Sequence, residues 1–348
     1  PTWYAAPPEP LPDFQTLVLR NGMADLLQPP ARTTLESDAL PAYLPKRRWF
    51  SVKNEVLRKV RIARAATLPA PERPILLAEL EVDTDHGCHC FQLPLGGLPE
   101  EAGASAVQQQ LALARLRRGR QMGILTDAFT LPSFAHAILA QLRADAVIPS
   151  EGGDVRFLPT SRLQALDLAA DAEVRLLSAE QSNSSLVIGE KVILKLIRRI
   201  SAGLHPEAEM GRELTERGFA NIAPLLGEVS RFNAEGEPHV LMVLQEFLHN
   251  QGDAWSWTQN MLERAIRDAV VPMEGEQPQQ RADALKEFAQ FAAVLGKRIG
   301  EMHQVLAQPS SDPAFAVEQA SAADCKDWSA TAQARVDDGL GRHQRPEG

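Results

Sequence analysis

Glu180-Gln181-Ser182-Asn183-Ser184-Ser185-Leu186-Val187-Ile188-Gly189-Glu190-Lys191-Val192-Ile193-Leu194-Lys195-Leu196-Ile197 is the stretch that decides the fold. Two short aliphatic runs flank Gly189-Glu190, which predicts two strands joined by a tight turn. A polar Gln-Ser-Asn-Ser-Ser loop opens the first strand. Strand alternation places Ile193, Lys195 and Ile197 on one face and Val192, Leu194 and Leu196 on the other. A lone lysine among five aliphatics is costly to bury without an anionic partner. The following segment offers one: a helix is predicted from Pro206, near its first turn, to just before Gly218. Glu209, Glu213 and Glu216 fall on one face of it, and Glu209 is taken as the partner of Lys195.

Outward from this segment, residues 1–35 are Pro-rich and read as a linker or connecting arm with one strand at Leu17-Val18-Leu19. Residues 36–150 read as a small α+β module. Its strands are Val56 to Ile62, Ile75 to Val82 and Cys90 to Leu93, punctuated by Pro, Gly and Asp. Helices are predicted over about 104–120 and 131–145, the latter with Phe134, Ile138 and Leu142 four apart on one face. Residues 151–250 form a second sheet region that closes with an apolar strand from Val240 to Phe247. Residues 251–348 are helical, with Leu285, Phe288, Ala292, Leu295 and Ile299 on one stripe. The fold class is therefore α+β throughout. Gly341 to Gly348 carry no apolar side chain and read as a frayed or artificial end.

Composition excludes several classes. The 348 residues carry 36 Lys+Arg against 45 Asp+Glu, a formal charge of −9, which speaks against a nucleic-acid binder that neutralises phosphates over a wide basic face. At 44% hydrophobic and 23% charged, the chain is too apolar to be disordered. No apolar run approaches the ~18 residues needed to span a bilayer, and Pro1-Thr2-Trp3-Tyr4 opens no signal-peptide pattern. Three cysteines build no disulfide framework, so a reducing cytoplasm is the expected compartment.

The order of polar loop, strand, turn, lysine strand, acidic helix and second strand is that of a kinase-like small lobe. There such a lysine reaches nucleotide phosphates and pairs with a helix glutamate. Gln181, Ser182, Asn183, Ser184 and Ser185 lack a G-x-G-x-x-G pattern, yet their side chains and backbone N–H groups suit phosphate oxygens. Ile193 shares the lysine face. The strand Leu241 to Leu248 ends at a hinge, where the backbone of Glu246 and Leu248, beside Gln245, suits an adenine edge.

Leu40-Pro41-Ala42-Tyr43-Leu44-Pro45-Lys46-Arg47-Arg48-Trp49-Phe50, followed by Lys53, resembles the opening of the N-terminal cap domain of bacterial maltokinases. Glu180 to Ser185, Ile193 to Arg199 and Glu213 to Phe219 resemble their small lobe, and Leu244 to Leu248 with Asn250 to Trp255 their hinge. Gly300-Glu301-Met302-His303 and Asp312-Pro313-Ala314-Phe315 resemble the helices that follow, so the likeness covers about residues 11–330. It implies an aminoglycoside-phosphotransferase-like small lobe and transfer of the ATP γ-phosphate to maltose, with Mg²⁺, for glycogen or α-glucan synthesis. Such enzymes are often fused behind a trehalose synthase, and a Pro-rich start without Met suits that junction. Lys195 is then expected at the α/β phosphates, the 181–185 loop over them, and Glu246 with Leu248 at the adenine.

The departure is at the other end. The family's His-Gly-Asp catalytic segment and its Asp-Phe-Glu metal motif are expected after Asp337, and neither occurs in the chain. No catalytic residue or Mg²⁺ ligand is therefore assigned, and the chain is expected to be a truncated maltokinase, inactive alone. Two other classes remain open: a docking module for a trehalose synthase, and another small-molecule kinase.

Three further signals are given structural roles. His86-Gly87-Cys88-His89-Cys90 lacks a zinc knuckle and a fourth ligand, so it reads as a turn into a strand. Lys46-Arg47-Arg48 beside Trp49 reads as a solvated face or an internal salt-bridge site. Trp255 and Trp257 read as packing residues rather than a sugar platform.

Overall fold

Among the described residues, fourteen strands join into one sheet, where the sequence predicts two separate ones. They are β1 (Thr16–Val18), β2 (Leu57–Leu68), β3 (Ile75–Thr84), β4 (Cys88–Pro99), β5 (Ala112–Arg118), β6 (Gln121–Asp127), β7 (Val147–Ser150), β8 (Gly153–Pro159), β9 (Val174–Leu177), β10 (Ser184–Ile188), β11 (Val192–Leu196), β12 (Arg199–Ile200), β13 (Leu225–Asn233) and β14 (Pro238–Glu246). The order across the sheet is β1-β5-β6-β4-β3-β2-β7-β8-β13-β14-β11-β10-β9, with β12 paired to β4. This computed structural model describes residues 14–71, 73–177, 184–250, 252–270 and 278–343. The chain divides into two compact units, Pro1–Asp253 and Ala254–Gly348.

The expected boundary at residue 150 falls inside the hairpin of β7 and β8, which joins the halves: Ser150 pairs with Ala66 of β2, and β8 pairs along β13. Just after the lysine strand, β12 crosses back to β4, matching Arg199 with Phe91 and Ile200 with Cys90. Residues 151–250 are thus not a lobe with its own sheet. They extend the sheet that residues 57–150 begin.

Local sequence explains most of the elements. The β10–β11 hairpin turns on Gly189 and Glu190, at φ 59° and 53°, the left-handed pair of a two-residue hairpin loop. A Cβ on Gly189 would lie 2.6 Å from Leu168 Cδ1, so packing as well as conformation calls for glycine. Phe134, Ile138 and Leu142 are fully buried on the helix Pro132–Arg143. Of the helix expected over 104–120, only Ala106–Gln110 forms, held by a Ser105/Gln108 capping box. Ala112–Arg118 is instead strand β5, because β6 and β1 pair with it on either side and outweigh its helical spacing.

The expected linker is structured from Thr16 onward. β1 adds to β5, and Leu17, Leu19, Met23 and Leu26 are buried. They enter a core with Tyr43, Trp49 and Phe50 over one face of β2–β6. A second core lies between the helix Pro132–Arg143 and both halves of the sheet, from Leu68 and Leu77 to Leu186, Leu194 and Leu244. Each buried aliphatic side chain of this kind contributes about 1.5–3 kcal/mol. The unit Ala254–Gly348 contains the helices Ala254–Val270, Pro278–Leu306 and Ala322–His343. Trp257 packs on Phe291 at 4.6 Å, while Trp255, Leu295 and Ile299 are exposed. No helix among the described residues is long and apolar enough to cross a membrane.

Candidate functional site

Alternation sorts β11 as its sequence implies: Val192, Leu194 and Leu196 are fully buried in the second core, while Ile193 and Lys195 face the other way. That face is covered by the helix Pro206–Glu216 through Ala208, with Ile197, Leu225 and Val243 beneath it. Lys195 lies opposite Ser185 of β10 and Val243 of β14.

Lys195 Nζ makes a close ion pair with the Glu207 carboxylate, not with Glu209. The reason is the helix start. His205 is the N-cap, its Nδ1 accepting the Glu207 N–H at 3.3 Å, so Glu207 stands in the first turn directly after the chain leaves β12. Glu209, two residues on, is rotated by about 200° around the axis. Glu213 is engaged by Arg217 at 2.5 Å. A carboxylate in the first helical turn is also favoured by the helix dipole. Both side chains are about a quarter exposed, at 26% and 25%, so the pair is partly screened by solvent.

Glu228 of β13 lies in the same row across the sheet, opposite Val243. It is buried and takes Arg212 at 2.5 Å and the Ser230 hydroxyl at 3.1 Å. Gln245 is buried opposite Ile193. The Glu246 N–H is donated to the Pro224 carbonyl at 3.0 Å, which removes it from the set expected at an adenine edge. The Leu248 carbonyl accepts the Asn250 side-chain amide at 3.1 Å, and the Leu248 side chain is exposed. Gln181, Ser182 and Asn183 lie outside the described residues. Ser184 Oγ accepts from Arg198 Nε at 2.9 Å, and Ser185 is buried.

A second polar centre escaped the sequence reading. Arg198, immediately after the lysine strand, is buried and donates to Asp127 Oδ2 at 2.6 Å. Its guanidinium lies 4.7 Å from the Trp49 ring centre and 5.3 Å from that of Phe129. Seventy-one residues separate Arg198 from Asp127, and no local spacing ties them. The available signal was an arginine pair, Arg198-Arg199, directly after an aliphatic run.

The motif at residues 86–90 runs from the β3–β4 turn into β4, where Cys88, His89 and Cys90 pair with β3. Local desolvation, then the neighbouring Asp83 carboxylate, pushes the thiol of exposed Cys88 up to about 11, and burial raises that of Cys90, which disfavours thiolate ligation. Glu55, Asp85 and His86 bring ligand atoms within 4.8 Å of one another, but Glu55 already takes the Thr84 hydroxyl and Asp85 the Val56 N–H. A cavity of about 790 Å³ lies beside Arg162, Arg212 and Glu228, and none of the residues expected to bind nucleotide lines it.

The sequence profile of the maltokinase N-terminal cap domain matches residues 43–130. A curated relative, the glucosamine kinase of Mycolicibacterium smegmatis (strain ATCC 700084 / mc(2)155), is 22% identical over 164 residues, 47% of this chain and 36% of that protein. Solved glucosamine kinases are similar too. The complex with glucosamine, ADP and inorganic phosphate has a TM-score of 0.47 at 19% identity, covering 82% of this chain and 54% of that one. Crystal form A has a TM-score of 0.46 at 20% identity, covering 82% and 53%. The chain thus spans about half the length of the solved relatives it matches.

These matches correct the maltokinase expectation. The maltokinase profile covers residues 43–130 alone, and the curated relative that matches over 164 residues is a glucosamine kinase. The aminoglycoside-phosphotransferase-like small lobe is set aside as well, since residues 151–250 continue the sheet of the preceding half. Maltose as acceptor goes with it, and the trehalose synthase partner rested on the same resemblance.

Proposed function

We propose that this chain is the nucleotide-binding front of an ATP-dependent small-molecule kinase whose acceptor is an amino sugar of the glucosamine type. The observation that carries this is the Lys195–Glu207 pair on the open face of β11. An ammonium held by a carboxylate and still partly exposed suits the α/β phosphates of ATP, and the similarity to glucosamine kinases supports the acceptor class. In this proposal Glu207 orients Lys195, Ser185, opposite Lys195, begins the strand beneath the phosphates, and the Glu246 carbonyl and Leu248 N–H meet the purine edge.

Mg²⁺ is another matter. Of the carboxylates on this face, Glu207 is engaged by Lys195 and Glu228 by Arg212 and Ser230. They do not fit a free Mg²⁺ site, so no step is derived through the ion. The base for the acceptor hydroxyl is assigned to no residue of this chain.

The test is calorimetric titration with ADP. Lys195→Met is expected to weaken binding by ~10-fold or more, since one charge-assisted contact to phosphate is lost. Glu207→Gln should weaken it less, and Glu209→Gln should leave it unchanged. Equal affinities for the unmodified chain and Lys195→Met would remove the proposal's foundation.

A further inference from the structure

A cavity of about 430 Å³ lies where the turn Lys46-Arg47-Arg48 faces the ends of β9 and β10. Four cations line it, Lys46, Arg47, Arg48 and Arg198, against one carboxylate, Asp127. That carboxylate is already spent: Oδ2 takes Arg198 at 2.6 Å and Oδ1 takes the Phe129 N–H at 3.1 Å. Lys46, Arg47 and Arg48 have no salt bridge among the described residues. Among the described residues, three cations without an ion-pair partner thus face one cavity in a chain whose net charge is −9.

The cavity also has an orphaned donor. Arg47 Nε is buried with no acceptor in hydrogen-bond geometry, and the buried Tyr43 hydroxyl stands beside the same guanidinium. The Arg47 guanidinium is fixed all the same: it lies 4.5 Å from the Tyr43 ring centre and donates from Nη1 to the Gln110 carbonyl at 3.3 Å. A buried donor left unmatched costs about 1–3 kcal/mol, and an anion that accepts from Nε removes that cost. A fixed guanidinium fork flanked by two more cations matches the charge and geometry of a phosphate dianion. The volume leaves room beyond a phosphate group, and Leu176 and Leu177 supply an apolar wall there.

We infer that this cavity is a binding site for a phosphate monoester, distinct from the face that carries Lys195. It needs no nucleotide at Lys195. Its ligand would lie beside Ser184, through which Arg198 already holds the start of β10.

Phosphorus NMR and calorimetry at low salt test it on the whole chain, with inorganic phosphate and with glucose 6-phosphate as probes. Saturable binding at one site is expected, tighter for the ester if the apolar wall is used and equal for both if only phosphate is read. Arg47→Gln with Arg48→Gln should weaken binding ~10-fold or more, the scale of one lost charge-assisted contact. Arg48→Gln with Lys46→Gln, both at exposed positions, should weaken it without touching the core. Lys195→Met should leave the affinity unchanged. The inference fails if neither probe saturates the unmodified chain, if both cavity variants bind as the unmodified chain does, or if Lys195→Met alone abolishes binding.

Discussion

Asp127→Asn isolates the buried ion pair that ties the N-terminal half of the sheet to the end of the lysine strand. Arg198 and Asp127 are 2% and 1% exposed, so neither charge can be rehydrated without opening the structure. Removing one partner of such a pair typically costs 3–5 kcal/mol, because the other charge stays buried and unmatched. Asp127→Asn retains an oxygen for the Phe129 N–H but sets an amide donor against the guanidinium, so about 3–5 kcal/mol is expected. Arg198→Met leaves the carboxylate buried and also loses the Ser184 bond and the stacking on Trp49 and Phe129, which puts it in the same range. The double variant buries no charge and should cost about 1–2 kcal/mol, less than either single change. Urea unfolding read by hydrogen exchange of peptides covering β4 and β12 gives a local measure, since the Gln92 N–H donates to the Arg198 carbonyl at 2.7 Å. Single variants that cost under about 1 kcal/mol, or a double variant that costs their sum, would refute the account.

Three further outcomes follow from the geometry. A Cβ on Gly153, at φ 154°, would lie 1.9 Å from the Phe232 carbonyl oxygen, so Gly153→Ala should cost about 3 kcal/mol or more by breaking the β8–β13 pairing, read as a fall in urea midpoint. Burial, then Arg231, hold the His239 imidazole below its ordinary 6.5, so the unfolded chain takes the proton first. Stability should therefore fall as pH drops through that value, and His239→Gln should flatten this part of the profile. With its thiol at about 11, Cys88 has only ~10⁻³ thiolate at pH 8 although its side chain is exposed; a disulfide reagent should modify Cys325, exposed as well, before Cys88, and equal rates at the two would contradict the assignment.

Local grammar was legible in the sequence. The hairpin at Gly189-Glu190, the helix after Pro206 and the two faces of β11 follow from turn chemistry, capping and alternation acting over a few residues. What failed depends on partners far along the chain. Ala112–Arg118 alternates weakly and looks helical alone; the strands on both sides of it decide otherwise. Lys195 announced that it needed an anion, but choosing Glu207 over Glu209 takes the position of the helix start relative to the sheet, which spacing does not supply. The likeness to maltokinases rested on motifs from both halves, and a continuous sheet shows why its extension past the cap was unsafe. A shared cap constrains the neighbouring edge, not the acceptor.

Two buried ion pairs make the halves mechanically inseparable. Arg198–Asp127 joins the segment after β11 to β6, and Arg231–Glu79, at 2.6 Å with both residues buried, joins β13 to β3. Neither pair is between neighbouring strands, so each ties together parts of the sheet that no ladder joins directly. Replaced by apolar residues of similar size, such pairs often cost little, whereas half-removed they cost several kcal/mol. They therefore add geometric definition more than net stability. In this protein the geometry they define is the position of Trp49 and the Lys46–Arg48 turn relative to Ser184, and hence the cavity between them. Anion affinity in Arg198→Met should consequently fall although Arg47 and Arg48 are untouched, and an unchanged affinity there would separate the cavity from the ion pair that shapes its floor.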